Sequence, residues 1–168
     1  MTIRVRPAEP HDTDEIVALA RAVSAEPEGW LLSDSRWRST AEERRYIRAV
    51  RRHADAVLLV AEVDGVLAGR LSLARDPHPS SAHVADLGLM VDAAYRRRGV
   101  GTALLDAAEK WARSAGVTKL ELHVFPHNTP AIALYDRHGY EREGYRRRHY
   151  RRPGGELVDT ILMSKLLL

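Results

Sequence analysis

The sequence predicts an α/β fold, with a mixed, mainly antiparallel central sheet flanked by helices. Three observations carry that expectation. Asp64-Gly65, a dipeptide favoured in two-residue hairpin turns, joins two β-rich runs. His83 to Val91 reads as a long strand that passes through a basic, glycine-containing turn into an amphipathic helix. The full order of strand, helices, hairpin, strand, helix, strand, helix and two strands suits one sheet with helices packed on it. A chain of 168 residues has the length of one ordinary domain, here 1–168, and can bury a core without disulfide or metal support.

The elements follow in order. Thr2 to Arg6 alternates as a strand, and Asp12 offers an N-cap to a helix whose apolar positions are Ile16, Leu19, Ala20 and Val23. Pro27 to Ser39 lacks periodicity and reads as a loop, carrying Trp30 and Trp37 as packing residues or as a substrate wall. A second helix is expected over Thr40 to Arg52, with Thr40 and Glu43 at capping-box spacing. Ala56 to Val63 and Val66 to Ala74 form the hairpin. After the strand at His83 to Val91, the helix beginning near Gly99 shows an apolar face of Val100, Leu104, Ala107, Ala108, Trp111 and Ala115, and Gly116 stops it. Lys119 to Phe125 is strand-like. Thr129 and Pro130 suit the N-cap and first position of a short helix ended by Gly139. Strands near Tyr140 to Tyr150 and Leu157 to Lys165 close the chain.

Composition excludes several classes. There is no cysteine, so disulfide frameworks, thiolate metal sites and a covalent intermediate on a thiol are ruled out. Of the 26 basic residues only Lys110, Lys119 and Lys165 are lysine, and 23 acidic residues bring the net charge to +3. That balance differs from the dense basic footprint of a nucleic-acid binder. The local exception, Arg142 to Arg152, is read as a solvated hairpin face. Met1 to Pro7 lacks the apolar stretch of a signal peptide, and Ile161 to Leu168 is too short to span a bilayer, so a cytoplasmic protein is expected.

The chemically loaded segment is Leu87-Gly88-Leu89-Met90-Val91 followed by Arg96-Arg97-Arg98-Gly99-Val100-Gly101-Thr102. A strand, a turn and a helix N-terminus present backbone N–H groups without intrahelical partners at the positive end of the helix dipole, which suits a pyrophosphate. Gly99 and Gly101 would let a phosphate approach the main chain, or serve turn geometry alone. A Walker loop fails for want of a lysine after Gly101. A dinucleotide fingerprint fails at Leu104, where a small residue is required.

Arg96, Gly99 and Gly101 match Arg/Gln-x-x-Gly-x-Gly/Ala, and the segment resembles motif A of the GNAT superfamily of acyl-CoA-dependent N-acetyltransferases. Leu122-His123-Val124, Asn128, Ala131, Leu134-Tyr135 and Gly139-Tyr140 look like that family's motif B. The resemblance spans roughly Ala56 to Tyr145, with Ala93 departing from the proline many members carry. It implies a GNAT-like fold in which Leu89, Met90 and Val91 hold the pantetheine arm of acetyl-CoA. Arg96, Arg97, Arg98, Gly99, Val100, Gly101 and Thr102 would hold the pyrophosphate, and Asn128 would bond the cofactor or cap its helix.

The implied reaction is direct attack of a primary amine on the thioester, with no metal. Tyr135 is the candidate acid for the departing thiolate, although its place on a helix also suits a buried aromatic. A backbone N–H around Met90 would stabilise the oxyanion. Asp86, His123 and Glu62 are candidates for the base or water relay. Alternation sets Asp86 opposite Leu87 and Leu89 unless a bulge shifts the phase. His83, His127, His138 and His149 are read as surface or turn residues. The expected partner is a small-molecule or peptide amine, with no nucleic acid and no membrane, and a homodimer is left open. Two other classes stand beside the enzyme. One is a non-catalytic acyl-CoA-binding sensor or regulatory module, which would not need Tyr135. The other is a nucleic-acid binder using the arginine run.

Overall fold

A computed structural model describes residues 1–32 and 38–168. Trp37 lies outside the described residues. The elements are β1 (Ile3–Pro7), α1 (Thr13–Ser24), α2 (Thr40–Arg52), β2 (Ala56–Val63), β3 (Val66–Arg75), β4 (Val84–Val91), α3 (Val100–Ser114), β5 (Lys119–Val124), α4 (Thr129–Arg137), β6 (Glu141–Arg151) and β7 (Leu157–Leu166). The seven strands lie in the order β1-β2-β3-β4-β5-β7-β6. Among the described residues only β4 and β5 pair in parallel. The mixed, mainly antiparallel sheet expected from the element order is therefore present.

Local chemistry accounts for most boundaries. Asp64 (φ 50°) and Gly65 (φ 85°) both adopt the left-handed conformation that a two-residue hairpin with matching twist demands. Alternation sends Leu71, Leu73, Ala85, Leu87, Leu120 and Leu122 to one face, where they pack with Leu104, Ala108 and Ile132 of α3 and α4. The opposite face sends Leu58, Val60 and Met90 to a second cluster with Ile16, Leu19, Ala20 and Ile47 of α1 and α2. The sheet thus carries helices on both faces.

Three helix starts differ from expectation. Ser39, not Thr40, caps α2: its Oγ accepts from the Glu42 N–H at 3.2 Å, and the Glu42 carboxylate accepts from the Ser39 N–H at 3.0 Å. Glu43 is instead fully buried, accepting from Arg38 Nε at 2.7 Å and Arg70 Nη2 at 3.2 Å. Asp12 stands at the N-cap of α1, but its carboxylate accepts from the Glu9 N–H and from Arg6. At α4 the cap is Asn128, with Thr129 and Pro130 as the first two helical residues. Only for Asp12 did other partners, the Glu9 N–H and the Arg6 guanidinium, take the side chain; at α2 and α4 the residue one position earlier caps the helix.

β6 forms a sheet edge, and Arg142, Arg146, Arg147, Arg148 and Arg151 on it are exposed. Arg152, just beyond, is half-buried. No helix among the described residues is long and apolar enough to cross a membrane.

Candidate active site

The one parallel pair in the sheet is short. β4 and β5 pair at Val84↔Lys119, Ala85↔Leu120 and Asp86↔Glu121, and no pairing continues beyond that point. Leu87 to Val91 and Leu122 to Val124 therefore diverge into a V-shaped gap, each still held on its outer side, by β3 and β7 respectively.

Main-chain direction within the gap follows from parity. The Asp92 N–H donates to Ala68 O at 2.8 Å and the Asp76 N–H to Val84 O at 2.8 Å, so even-numbered residues of β4 direct their backbone groups to β3. The odd residues Leu87, Leu89 and Val91 turn theirs toward the gap. Met90 is corrected accordingly. Its N–H faces Arg70 across the β3 ladder and its side chain is buried in the second cluster, so the donor near this point is Leu89 or Val91.

The turn after β4 begins with Asp92, whose carboxylate accepts from the Ala94 N–H at 2.8 Å. Arg97 (φ 62°) and Gly99 (φ 87°) are both left-handed, and Gly99 is the N-cap of α3 without a side chain to occupy the first-turn N–H groups. Such a turn gathers N–H groups into an anion-binding concavity at the positive end of the helix, so Arg97, Arg98, Gly99, Val100, Gly101 and Thr102 fit a pyrophosphate. Arg96 serves otherwise: its guanidinium forms a two-pronged pair with Glu26 at 2.6 and 2.7 Å, and its Nε donates to Val91 O at 3.1 Å. It ties the turn to the end of α1. Gly101 has a packing role as well, because a Cβ there would lie 2.8 Å from Leu134 Cδ2.

Beneath the gap, on the α3–α4 side, Tyr135 is buried with its ring 5.7 Å from Tyr140. Burial pushes its hydroxyl well above the usual tyrosine range, which keeps it protonated. The Asn128 oxygen accepts from the Ala131 N–H at 3.3 Å, so this side chain caps α4.

On the α1–α2 side the sheet presents Asp86, Glu121, His123 and Arg146. β4 carries no register shift, so Asp86 does lie opposite Leu87 and Leu89, at the vertex of the V. Although Asp86 is exposed to solvent at the open face, desolvation by the protein around the vertex, with the Glu121 charge second, pushes its carboxyl up to about 6 against the opposing pull of Arg146. His123 lies past the vertex on β5, and its buried Nδ1 lacks a hydrogen-bond partner among the described residues. Burial, then Arg146 and His149, hold it below the ordinary histidine value. Its ring stacks on His149 (5.9 Å, 19°) and meets Tyr150 edge-on (6.2 Å).

Glu62 does not belong to this centre. It is paired with Arg6, which also binds Asp12 at 2.8 Å, and β3 separates its strand from β4. The ion pair with Arg6 occupies its carboxylate on the far side of β3 from the gap. His149 is exposed, as expected, and also stacks on His123 beside a β6 irregularity between Arg146 and Tyr150. His127 lies in an exposed turn, as expected, with its ring between Trp30 (5.6 Å) and Phe125 (5.6 Å). His83 is exposed, and His138 Nδ1 lies 3.0 Å from Leu134 O at the end of α4.

Comparison with known proteins agrees with this geometry. The model of the acetyltransferase (GNAT) family matches residues 15–140. The L-amino acid N-acetyltransferase AaaT of Escherichia coli (strain K12) is 33% identical over 174 residues, covering 97% of each chain. An acetyltransferase of the GNAT family from Streptococcus pneumoniae superposes with a TM-score of 0.87 at 29% identity, covering 98% of this chain and 99% of the other. The structure of YncA from Salmonella typhimurium with its cofactor acetyl-CoA has a TM-score of 0.86 at 19% identity, over 100% and 95% of the two chains.

Proposed function

Because the chain belongs to the acetyltransferase (GNAT) family, we propose that it acetylates the α-amino group of a free amino acid or a closely similar small amine. The general reaction is that of an acetyl-CoA-dependent N-acetyltransferase acting on a primary amine. The finer acceptor assignment draws on the full-length similarity to an L-amino acid N-acetyltransferase. One observation carries the mechanism. Strand pairing stops at Asp86↔Glu121, leaving a gap with a raised-pKa carboxyl on one face of the sheet and a protonated phenol on the other.

Acetyl-CoA supplies the acyl group as a thioester. Residues 97–102 hold its pyrophosphate through main-chain N–H groups, and Leu89 and Val91 line the pantetheine path with theirs. The Leu89 N–H is the donor for negative charge developing on the acyl oxygen. An ammonium cannot attack, so Asp86 takes its proton, directly or through one water. With its carboxyl near 6, Asp86 is a stronger base than an ordinary aspartate yet still ionised at neutral pH. His123 offers a second acceptor for that proton on the same face. Tyr135 gives a proton to the departing sulfur from the α3–α4 side, and the second proton, lost from the attacking nitrogen as the amide forms, leaves through water and restores the Tyr135 hydroxyl. No cysteine is needed, and residues 1–168 act as one acyltransferase domain.

A thiol-release assay with acetyl-CoA against free amino acids, polyamines and peptide N-termini, with products identified by mass spectrometry, tests this. Amino acids should be turned over best. Turnover of peptide N-termini with none of free amino acids would overturn the acceptor assignment.

A further inference from the structure

Several contacts outside the reacting centre converge on Glu28 to Leu31, the segment that follows α1. Arg152, just past β6, donates from Nη2 to Gly29 O at 2.6 Å and from Nη1 to Leu31 O at 3.2 Å. Its guanidinium also lies over the Phe125 ring, 4.4 Å from the centroid. That ring stacks on His127 (14° between planes), His127 stacks on Trp30 (18°), and His127 Nε2 donates to Glu28 O at 2.8 Å. The arginine is itself fixed, because its N–H donates to Glu156 O and its C=O accepts from the Gly155 N–H, both at 2.8 Å.

Trp30 lies on the α1–α2 side of the sheet. It packs on the cluster containing Met90 of β4 and stacks on His127, three residues beyond the end of β5. Its indole Nε1 is buried without a hydrogen-bond partner among the described residues, so this placement carries a desolvation cost that other contacts must offset. The carbonyls on either side of Trp30 are the two that Arg152 holds.

We infer that Arg152 is a positioning residue of the acceptor site, acting through the main chain of Gly29 and Leu31 to hold Trp30 as the wall of the acceptor entrance. This rests on the acetyltransferase reading above. An arginine is required because its planar fork serves two carbonyls and lies flat on an aromatic ring at once. A lysine ammonium is a point donor that does one of these at a time. The position opposite is equally constrained. Gly29 has φ +68°, and a Cβ there would come 2.9 Å from Arg152 Nη2.

The test compares wild type with Arg152→Ala, Arg152→Lys and Gly29→Ala. It measures KM for acetyl-CoA and for the amine that wild type turns over fastest, the thermal midpoint, and amide hydrogen exchange over residues 26–32 of the free protein. Arg152→Ala should raise the acceptor KM roughly tenfold while the acetyl-CoA KM changes less than about twofold, the pattern of a misplaced acceptor wall. Exchange over 26–32 should quicken, Lys should recover little of the KM, and Gly29→Ala should move in the same direction as Arg152→Ala. An unchanged acceptor KM in a folded Arg152→Ala variant overturns the inference. So does an equal rise in both KM values, which would mark a general structural role. Wild-type turnover of the amine panel decides the acceptor reading separately, and exchange over 26–32 needs no acceptor at all.

Discussion

Gly101 and Leu134 fit together as a missing side chain and the side chain that fills its place: a Cβ built on Gly101 would stand 2.8 Å from Leu134 Cδ2. The contact locks the first turn of α3 to α4, and so joins the pyrophosphate turn to the helix that carries Tyr135. The second glycine of the motif therefore has two duties, close approach of a phosphate and close approach of a helix.

Gly101→Val should lower stability by about 1–3 kcal/mol through overpacking, read as a shift of the denaturation midpoint, and should also weaken coenzyme A binding in calorimetry. Adding Leu134→Ala should restore part of the stability without restoring the affinity. Recovery of both together would reduce Gly101 to a packing residue.

Tyr135→Phe keeps the buried ring and its contact with Tyr140 while removing the proton donor. Turnover should fall roughly 10²-fold, with acetyl-CoA affinity and thermal midpoint little changed. Single-turnover measurements guard against a rate limited by product release. Equal wild-type and Phe rates there would assign the proton to another group or to water.

The pH profile follows from Asp86, whose neighbours on this face are Glu121, Arg146 and His123, with His149 stacked on the last. A base must be deprotonated, so kcat should rise as pH increases through about 6. In Asp86→Asn that limb should vanish. The stability sign is opposite. The folded-state pKa is raised, so the protein holds more protons here than the unfolded chain, and the contribution present below about 4 is lost as pH rises through about 6. Asp86→Asn should therefore stabilise the fold at pH 8 relative to wild type, with a smaller effect at pH 4. A rising limb at pH 6 that persists in the variant would shift the base role to His123 or a water relay.

Glu43 is the counter-ion of Arg70, which lies 4% exposed on β3, and it also pairs with Arg38. Burial holds the Arg70 pKa below the ordinary arginine value even though the Glu43 charge opposes that shift. Glu43→Ala leaves this cation in the second core without that partner and should cost about 3–5 kcal/mol, measured by urea denaturation. A loss below about 1 kcal/mol would mean that the remaining contacts of Arg70 suffice.

The local grammar of the chain was legible. Asp64-Gly65, the apolar stripe of α3 and Gly99 at the start of that helix each depend on residues close in sequence, so their order identified the sheet and the phosphate turn. Where a partner came from afar, the reading failed. Glu43 looked like a capping residue because Arg70 is 27 positions away in sequence, and Glu62 looked available because Arg6 is 56 positions away.

The sequence by itself determined that this is an acetyltransferase-like α/β chain, with Gly99, Gly101 and Tyr135 at positions that match the family's two motifs, because turn chemistry and side-chain alternation are properties of neighbouring residues. Tertiary structure alone decided that β4 and β5 part after Asp86, that Leu89 rather than Met90 turns its N–H into the opening, and that Arg96 and Arg152 hold the segment after α1. Strand divergence depends on where inter-strand hydrogen bonds cease, and an arginine's partner depends on which distant carbonyl or carboxylate the fold delivers to it. Neither is written in the spacing of adjacent residues.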